Sequence, residues 1–120
     1  MANEISLSFR MGVTNGNYDP GTISVSNQLI DQAAAGAVEG IQNIGTSEET
    51  LGVGGLSTKG WIFMRNLDAT NYIEAGFATT VYGIKLEAGE CAMFRTGGSA
   101  TIYLKANTAA CNLQYRWLED

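Results

Sequence analysis

Histidine is absent from the sequence. It is the usual general base of enzymes, the commonest metal ligand and the side chain that titrates near neutral pH. Its absence excludes a Ser–His–Asp triad and a Cys–His dyad, and leaves a serine–lysine pair or paired carboxylates as catalytic groups. We therefore predict a protein that is not an enzyme, with no catalytic, cofactor-binding or metal-binding residues and no cofactor.

Positive charge and long apolar runs are also scarce. Seven Lys and Arg residues stand against twelve Asp and Glu residues, a formal net charge of −5. The basic residues are scattered, whereas nucleic-acid binding requires clustered positive charge that neutralises phosphates. No apolar run reaches the roughly 20 residues that span a bilayer, and the N-terminus lacks the basic region and apolar core of a signal peptide. We expect no nucleic-acid binding, no membrane binding and synthesis in a cytoplasm.

The sequence has two cysteines, Cys91 and Cys111, which allow one disulfide. Cytoplasmic synthesis favours free thiols. Cys111 has the same parity as Leu113, Tyr115 and Trp117, which predicts that it is a buried thiol on the core face of a strand.

The composition is that of a folded β protein. Hydrophobic residues make up 45% of the chain and charged residues 16%, which is too apolar and too weakly charged for disorder. The length of 120 residues predicts a single β domain, residues 1–120, with a core of its own. Fifteen glycines and one proline are typical of a chain with many turns.

Strict alternation predicts an N-terminal strand over residues 4–13. Apolar residues occupy one face of this strand: Ile5, Leu7, Phe9, Met11 and Val13. A turn-rich segment, residues 14–21, follows it, and Ile23 and Val25 then indicate a second strand. Because the apolar face must be covered, residues 1–20 are predicted either to pair within the protein's own sheet or to form an arm that pairs with a neighbouring subunit.

Residues 27–45 allow two interpretations. Asn27 could cap a short alanine-rich helix, but Gly36, Gly40 and the branched residues around them favour extended structure. From residue 60 onward the alternation predicts six strands, at 60–66, 71–77, 80–86, 91–96, 101–106 and 111–118. The spacing of about ten residues favours an antiparallel β-sandwich or barrel. Nine of the eleven aromatic residues follow residue 60, so we expect the core in this half.

Residues 60–76 are the most informative segment. Two apolar, β-forming runs flank the polar cluster at residues 66–71, and Asp, Asn and Thr favour turns because they bond their own backbone. The segment therefore predicts a hairpin.

Several motifs that could carry chemistry have a simpler interpretation. Three carboxylate pairs are predicted to be solvated surface charge: Glu48 with Glu49, Glu87 with Glu90, and Glu119 with Asp120. The alternating oxygen ligands of Asn15, Asn17 and Asp19 resemble the start of a calcium loop, but Pro20 and Ser26 stand where such a loop needs Gly and Glu. We predict a turn there, and a surface loop at residues 52–55.

Aromatic residues could bind sugars if they were exposed. Trp61 and Trp117 lie in apolar runs and are predicted to pack in the core. Tyr72, Tyr82 and Tyr103 fall on predicted strands and are better candidates for an exposed aromatic patch.

Residues 41–120 resemble a group of small tailed-phage virion proteins. The similar segments are QNIGTSEE at 42–49, RNLDATNYIE at 65–74, KLEAGE at 85–90, KANTAA at 105–110 and LED at 118–120. The resemblance implies a β-sandwich of the jelly-roll kind that acts as a capsid cement or decoration protein, or as a neck or tail component. It also implies a homo-oligomer, expected as a trimer, located in the virion after assembly in the host cytoplasm. Its partners would be the major capsid protein or other virion proteins, and it would stabilise the head by binding between shell subunits. A carbohydrate-binding β-sandwich is the alternative.

Overall fold

A computed structural model describes residues 2–120. The protein is all-β, with antiparallel pairing throughout the assigned strands. The prediction of an all-β, sandwich-like fold is confirmed. The chain divides into two compact units, one ending at Ala33 and one spanning Ala34–Asp120. Residues 2–120 contain no helix with the length and apolar character to cross a membrane.

The first unit is a long β-hairpin. Strand β1 (Ile5–Asn15) pairs with β2 (Tyr18–Ile30), so the predicted turn-rich segment contracts to a turn at Gly16 and Asn17. Gly16 has φ +60°, and glycine with positive φ at the first turn position is typical of a type II′ hairpin turn.

Two bulges interrupt the hairpin and explain why the chain tolerates unusual residues in β2. The pairing shifts between Val13 and Asn15, which leaves Asp19 and Pro20 in β2 opposite a single residue of β1. A bulge is one of the few places where a strand accepts proline. A second shift lies opposite Ser8, whose Oγ accepts a hydrogen bond of 3.2 Å from the Asn27 backbone N–H. Asn27, with φ +52°, thus lies in a bulge and caps no helix.

The second unit contains eight strands: β3 (Ala37–Ile44), β4 (Glu49–Thr50), β5 (Lys59–Asn66), β6 (Ile73–Gly76), β7 (Ile84–Leu86), β8 (Cys91–Arg95), β9 (Tyr103–Ala106) and β10 (Cys111–Glu119). They form two four-stranded sheets, in the orders β3-β10-β5-β8 and β4-β9-β6-β7. All six strands predicted after residue 60 are present, with ends that differ by a few residues. Extended structure was the correct interpretation of residues 27–45, since β2 and β3 cover most of them.

The strand pairs of this unit are nested. β3 pairs with β10, β4 with β9, β5 with β8 and β6 with β7. The chain therefore folds back on itself about the β6–β7 connection, and further pairing of β5 with β10 and of β6 with β9 joins these pairs into the two sheets.

The prediction of a hairpin at residues 60–76 is wrong. β5 and β6 belong to different sheets, so residues 67–72 carry the chain from one sheet to the other. The polar cluster does make a turn, but β5 pairs with β10 and β8, and β6 pairs with β9 and β7. Turn-forming residues fix a reversal of direction without fixing the strand that becomes the neighbour.

The core lies in the second unit, on the inward faces of alternating strands. The largest side chains with less than 2% exposure include Trp117, Ile44, Ile62, Met64, Ile73 and Leu113. Trp117 also donates a hydrogen bond of 3.1 Å from Nε1 to Thr96 Oγ1, which satisfies its polar group. Trp61 does not share this position: it is half-buried, on the opposite face of β5 from buried Ile62. The prediction that both tryptophans pack in the core is correct for Trp117 only.

Candidate interaction surfaces

The hairpin unit has one apolar and one polar face. Directly opposed residues of an antiparallel pair share a face, and one face carries Ile5 with Ile30, Leu7 with Gln28, Phe9 with Val25, Met11 with Ile23, and Val13 with Gly21. We call these residues the apolar hairpin face. None of them is charged. The other face is polar apart from Leu29, which is 54% exposed: it carries Ser6 with Leu29, Arg10 with Ser24 and Gly12 with Thr22.

The apolar hairpin face is exposed toward the turn. Leu7, near the open end, is 8% exposed, whereas the cross-strand partners Met11 and Ile23 are 74% and 77% exposed. These two are the most exposed large hydrophobic side chains among residues 2–120. A single exposed apolar side chain is ordinary, but a row of them on a two-stranded sheet marks a surface for binding.

A second exposed apolar surface lies on the connection between β6 and β7. Phe77 is 51% exposed and Val81 60% exposed, and the Phe77 ring packs edge-on against Phe94 with centroids 6.1 Å apart. Gly76 is required at the start of this connection, because a Cβ there would lie 1.7 Å from the Val81 carbonyl oxygen. The surface belongs to a connection that packs on β8 through Phe94.

The three tyrosines predicted as an exposed patch lie on or beside the β4-β9-β6-β7 sheet, and each is half-buried. The Lys85 ammonium lies 4.2 Å from the ring centroid of Tyr72, and the Lys105 ammonium lies 5.9 Å from that of Tyr82. Tyr103 begins β9 on the same sheet. The three rings share one sheet but are only partly exposed, and cation–π contacts already occupy two of them.

Glu87 and Glu90 are exposed, as predicted, whereas the other two carboxylate pairs are half-buried and hydrogen-bonded, which corrects the sequence interpretation for those two pairs. Glu49 accepts hydrogen bonds from the Gly45 N–H at 2.9 Å and from the Gln42 side chain at 3.1 Å. Glu48 accepts from the Thr80 N–H at 2.7 Å and from the Tyr82 hydroxyl. The Tyr82 bond lowers the pKa of Glu48 and raises the pKa of Tyr82 to about 12.

The other two pairs have similar roles. Glu119 accepts from the Ser57 hydroxyl at 2.6 Å and from nearby backbone N–H groups, and these bonds lower its pKa. Asp120 pairs with Arg95 at 2.5 Å. Glu90 accepts from the backbone N–H of Glu87 at 2.8 Å. Four of the six carboxylates thus hold a connection between strands, because a charged acceptor forms a strong hydrogen bond with a backbone N–H: Glu48, Glu49, Glu90 and Glu119. Asp120 and Glu87 pair instead with the side chains of Arg95 and Lys85.

The remaining motifs lie where turns were predicted. Asn15, Asn17 and Asp19 surround the hairpin turn, and residues 52–55 form a turn between β4 and β5. Within residues 2–120, no three His, Cys, Asp or Glu side chains are grouped so that they could hold a metal ion. Cys111 is buried, as predicted, and desolvation raises its pKa; Cys91 is exposed, and both are free thiols.

Sequence reasoning missed a buried amide, Asn66, at the end of β5. Asn66 is 0% exposed. Its Nδ2 donates to the carbonyls of Asn71 at 2.8 Å and Leu86 at 3.1 Å, and its Oδ1 accepts from the Asp68 N–H at 3.0 Å. Asp68 in turn accepts backbone hydrogen bonds from Thr70 and Asn71, which lower its pKa. Asn66 follows Met64 by two residues in β5, so both side chains lie on the buried face of the strand. This alternation is the one sequence feature from which the burial of Asn66 could have been predicted.

No family model matches the chain, and neither the curated proteins nor the solved structures yield a match.

Proposed function

We propose that this chain is a structural protein of a tailed-phage virion, most directly a capsid cement or decoration protein. It would bind the major capsid protein or other virion proteins between shell subunits, reside in the virion and be assembled in the host cytoplasm. A neck or tail position is the alternative within the same class. The observation that carries the proposal is the exposed apolar hairpin face at Met11 and Ile23.

The hairpin supports an assembly role because it is an incomplete structure. An isolated two-stranded sheet is at best marginally stable in water, and further strands or packing against its apolar face are needed. Leu7 on this face is 8% exposed, but Met11 and Ile23 leave that requirement unmet near the turn. A protein that functions by joining larger structures gains its missing contacts from its neighbours.

The strand order of the second unit supports the jelly-roll form of the proposal. Eight strands in two four-stranded sheets, with β3–β10, β4–β9, β5–β8 and β6–β7 nested, are the arrangement of one long hairpin that has been rolled up. Double-sheet jelly rolls of eight strands occur in viral capsid proteins, and also in lectins and cupins. The fold alone does not choose among these functions, so the hairpin face remains the main argument.

The proposed mechanism is stabilisation by added contacts. Each copy would bury surface against neighbouring shell subunits, and a standard interface buries about 1,600 Å² in total. Several modest contacts to one shell act together, since each bound site raises the effective concentration at the next. A homotrimer on a local threefold position would match the symmetry of a shell.

Binding to particles tests this proposal. Purified particles of the phage that encodes the chain should contain it by mass spectrometry, and particles that lack it should recover it in a co-sedimentation assay. Ile23→Asp should weaken recovery at least tenfold, because it places a charge on the apolar hairpin face. Ser24→Asp, the same new side chain one residue away on the polar face, is the matched control. Absence from particles, together with no binding of the unmodified protein, would contradict the proposal.

A carbohydrate-binding module is the second candidate, and the tyrosines beside the β4-β9-β6-β7 sheet favour it. Sugars stack on aromatic rings, and Tyr72, Tyr82 and Tyr103 all lie on or beside the β4-β9-β6-β7 sheet. Sugar titration followed by NMR should then shift signals of Tyr103, and Tyr103→Ala should abolish the shifts. Glycan binding that survives Tyr103→Ala and Tyr72→Ala would exclude this surface as the site.

A further inference from the structure

We infer that Asn15, at the tip of the hairpin, is a site of spontaneous deamidation, and that the turn must open before the reaction occurs. The modification converts the side-chain amide of Asn15 into a carboxylate and adds one negative charge at the tip. The reaction needs no partner, ligand or assembled particle, so it goes beyond the proposed structural role and does not rest on it.

The residue that follows each asparagine singles out Asn15. Deamidation begins when the backbone nitrogen of the next residue attacks the side-chain amide carbon, so a bulky side chain on that next residue obstructs the attack. Glycine has no side chain to obstruct it. Of the nine asparagines in the chain, Asn15 is the one followed by glycine, whereas Asn17, in the same turn, is followed by Tyr18.

The surroundings of Asn15 leave its amide accessible and able to rotate. Asn15 and Gly16 are exposed, and the Asn15 side chain makes no hydrogen bond with the rest of residues 2–120. Apart from its chain neighbours, no atom described by the structure lies within 4 Å of the position that a Cβ on Gly16 would take. Hydrogen bonds instead hold the side chains of five other asparagines: Asn43, Asn66, Asn71, Asn107 and Asn112.

The chemistry requires only water and a base from solution. The Gly16 nitrogen loses its proton to a base such as hydroxide and attacks Asn15 Cγ, and the new C–N bond closes a succinimide ring. The Cγ–Nδ2 bond breaks, and Nδ2 takes a proton from water and leaves as ammonia. Water then hydrolyses either of the two ring carbonyls, which gives aspartate or isoaspartate. The net reaction consumes one water and releases one ammonia, without oxidation or reduction.

The strand conformation of Asn15 makes the turn control the rate. Ring closure needs Asn15 Cβ and the Gly16 nitrogen to be nearly eclipsed about the Cα–C bond, whereas the extended backbone of a strand holds them far from eclipsed. Asn15 is the last residue of β1 and pairs with Tyr18, so the turn must rearrange first. Glycine changes its φ at little cost, and the exposed end of a two-stranded sheet opens easily.

The product alters the turn that carries it. Isoaspartate routes the backbone through the former side chain, which adds a carbon atom before Gly16 and disrupts the pairing of this position with Tyr18. Either product also places a carboxylate opposite Tyr18, which Asp19 follows directly, and like charges on paired strands are destabilising. Deamidation therefore loosens the tip of the hairpin, where the apolar hairpin face is most exposed.

Peptide mapping of the full chain by mass spectrometry tests the inference. During incubation at pH 8, fragment ions should show the mass change from amide to carboxylate at Asn15 at least tenfold faster than at Asn17. The same chain in urea supplies the open turn, and there conversion at Asn15 should be at least threefold faster than in the folded protein. Conversion at Asn15 no faster than at Asn17 would overturn the choice of site. An equal rate in folded and denatured protein would overturn the requirement that the turn open.

Two variants form a matched pair within the same turn. Asn15→Gln keeps an amide but needs a larger ring to react, so it should abolish the fast conversion and the associated release of ammonia. Asn17→Gln should leave both unchanged. Fast conversion that persists in Asn15→Gln, or disappears in Asn17→Gln, would contradict the assignment to Asn15. These measurements use no particles, so failure of the proposed virion function would leave their result unaffected.

Discussion

The two units of this protein use the same sequence pattern with opposite results. Alternate residues of β10, among them Cys111, Leu113 and Trp117, are 0% exposed, whereas Met11 and Ile23 on the hairpin are 74% and 77% exposed. The second unit has two four-stranded sheets and the hairpin has a single two-stranded one. Alternation therefore identifies the apolar face of a strand but not whether that face is covered, since Leu7 on the hairpin itself is 8% exposed.

The largest expected difference between the units is in the cost of removing an apolar side chain. Trp117→Ala should destabilise the second unit by about 3–5 kcal/mol, the range for deleting a buried aromatic residue, because Trp117 is 0% exposed. Urea denaturation followed by the fluorescence of Trp61 measures it. Ile23→Ala, as the exposed control in dilute protein, should change stability by less than about 0.5 kcal/mol. Equal losses of stability from the two substitutions would show that the two side chains are equally buried, which contradicts the difference between the units.

Removal of the buried Asn66 amide should cause the second-largest loss of stability. Asn66→Ala should cost about 1–3 kcal/mol, because it leaves buried carbonyls of the β5–β6 and β7–β8 connections without their donor. Asn43→Ala is the matched control: its amide is exposed and bonds the Asn112 side chain at 3.0 Å. We expect an effect below about 0.5 kcal/mol for the control. A stability for Asn66→Ala within the error of the control would show that water replaces these bonds without loss.

The acid sensitivity of the second unit should be reduced by removing one carboxylate. The N–H groups of Asn71 and Thr70 lower the pKa of Asp68 in the folded protein. A depressed folded pKa contributes stability above the unfolded pKa, near 3.9, and that stability is lost as pH falls through the folded pKa. Asp68→Asn should lower the melting temperature at pH 7 and flatten its decline below about pH 4. Asp19→Asn, on the hairpin, is the charge-matched control for melting curves between pH 2 and 7. If the melting temperature of Asp68→Asn declined below pH 4 as steeply as that of the unmodified protein, Asp68 would not contribute to the acid sensitivity.

The smallest expected effect is a difference in the reactivity of the two thiols, which reports burial without changing the stability of the protein. Cys91 is exposed and Cys111 is buried with a raised pKa. A thiol reagent at pH 8 should therefore modify one thiol rapidly and the second only after denaturation. Two fast thiols in the native protein would show that β10 is open to solvent.

The sequence predicted the strands far better than their partners. Alternation located every strand from β5 to β10 because it is a local property. The turn at residues 66–71 could not show that β5 and β6 lie in different sheets, since that choice depends on pairing with β10 and β9, far along the chain. Pairing between distant segments is set by the whole set of buried faces.

The candidate surfaces were predicted in part. The apolar residues of β1 were identified, and pairing with β2 added Ile23 and Val25 to the same face. The role of the carboxylates was missed, because a loop glutamate that bonds a distant backbone N–H, as Glu48 does with Thr80, has no local mark in the sequence. Trp61 is half-buried because it lies on the opposite face of β5 from Ile62 and Met64. The sequence did not show this, because β5 has apolar residues on both faces and no clear alternation.

Hydrogen exchange of the backbone amides tests the central claim most directly, namely that the hairpin is completed by another molecule and the second unit is not. In dilute protein, we expect amides of residues 11–25 to exchange far faster than those of β5 and β10, because an uncovered two-stranded sheet opens easily. Raising the protein concentration, or adding particles that bind it, should slow exchange in residues 11–25 and leave β5 and β10 unchanged. Exchange in residues 11–25 as slow as in β10 at the lowest concentration would contradict the account.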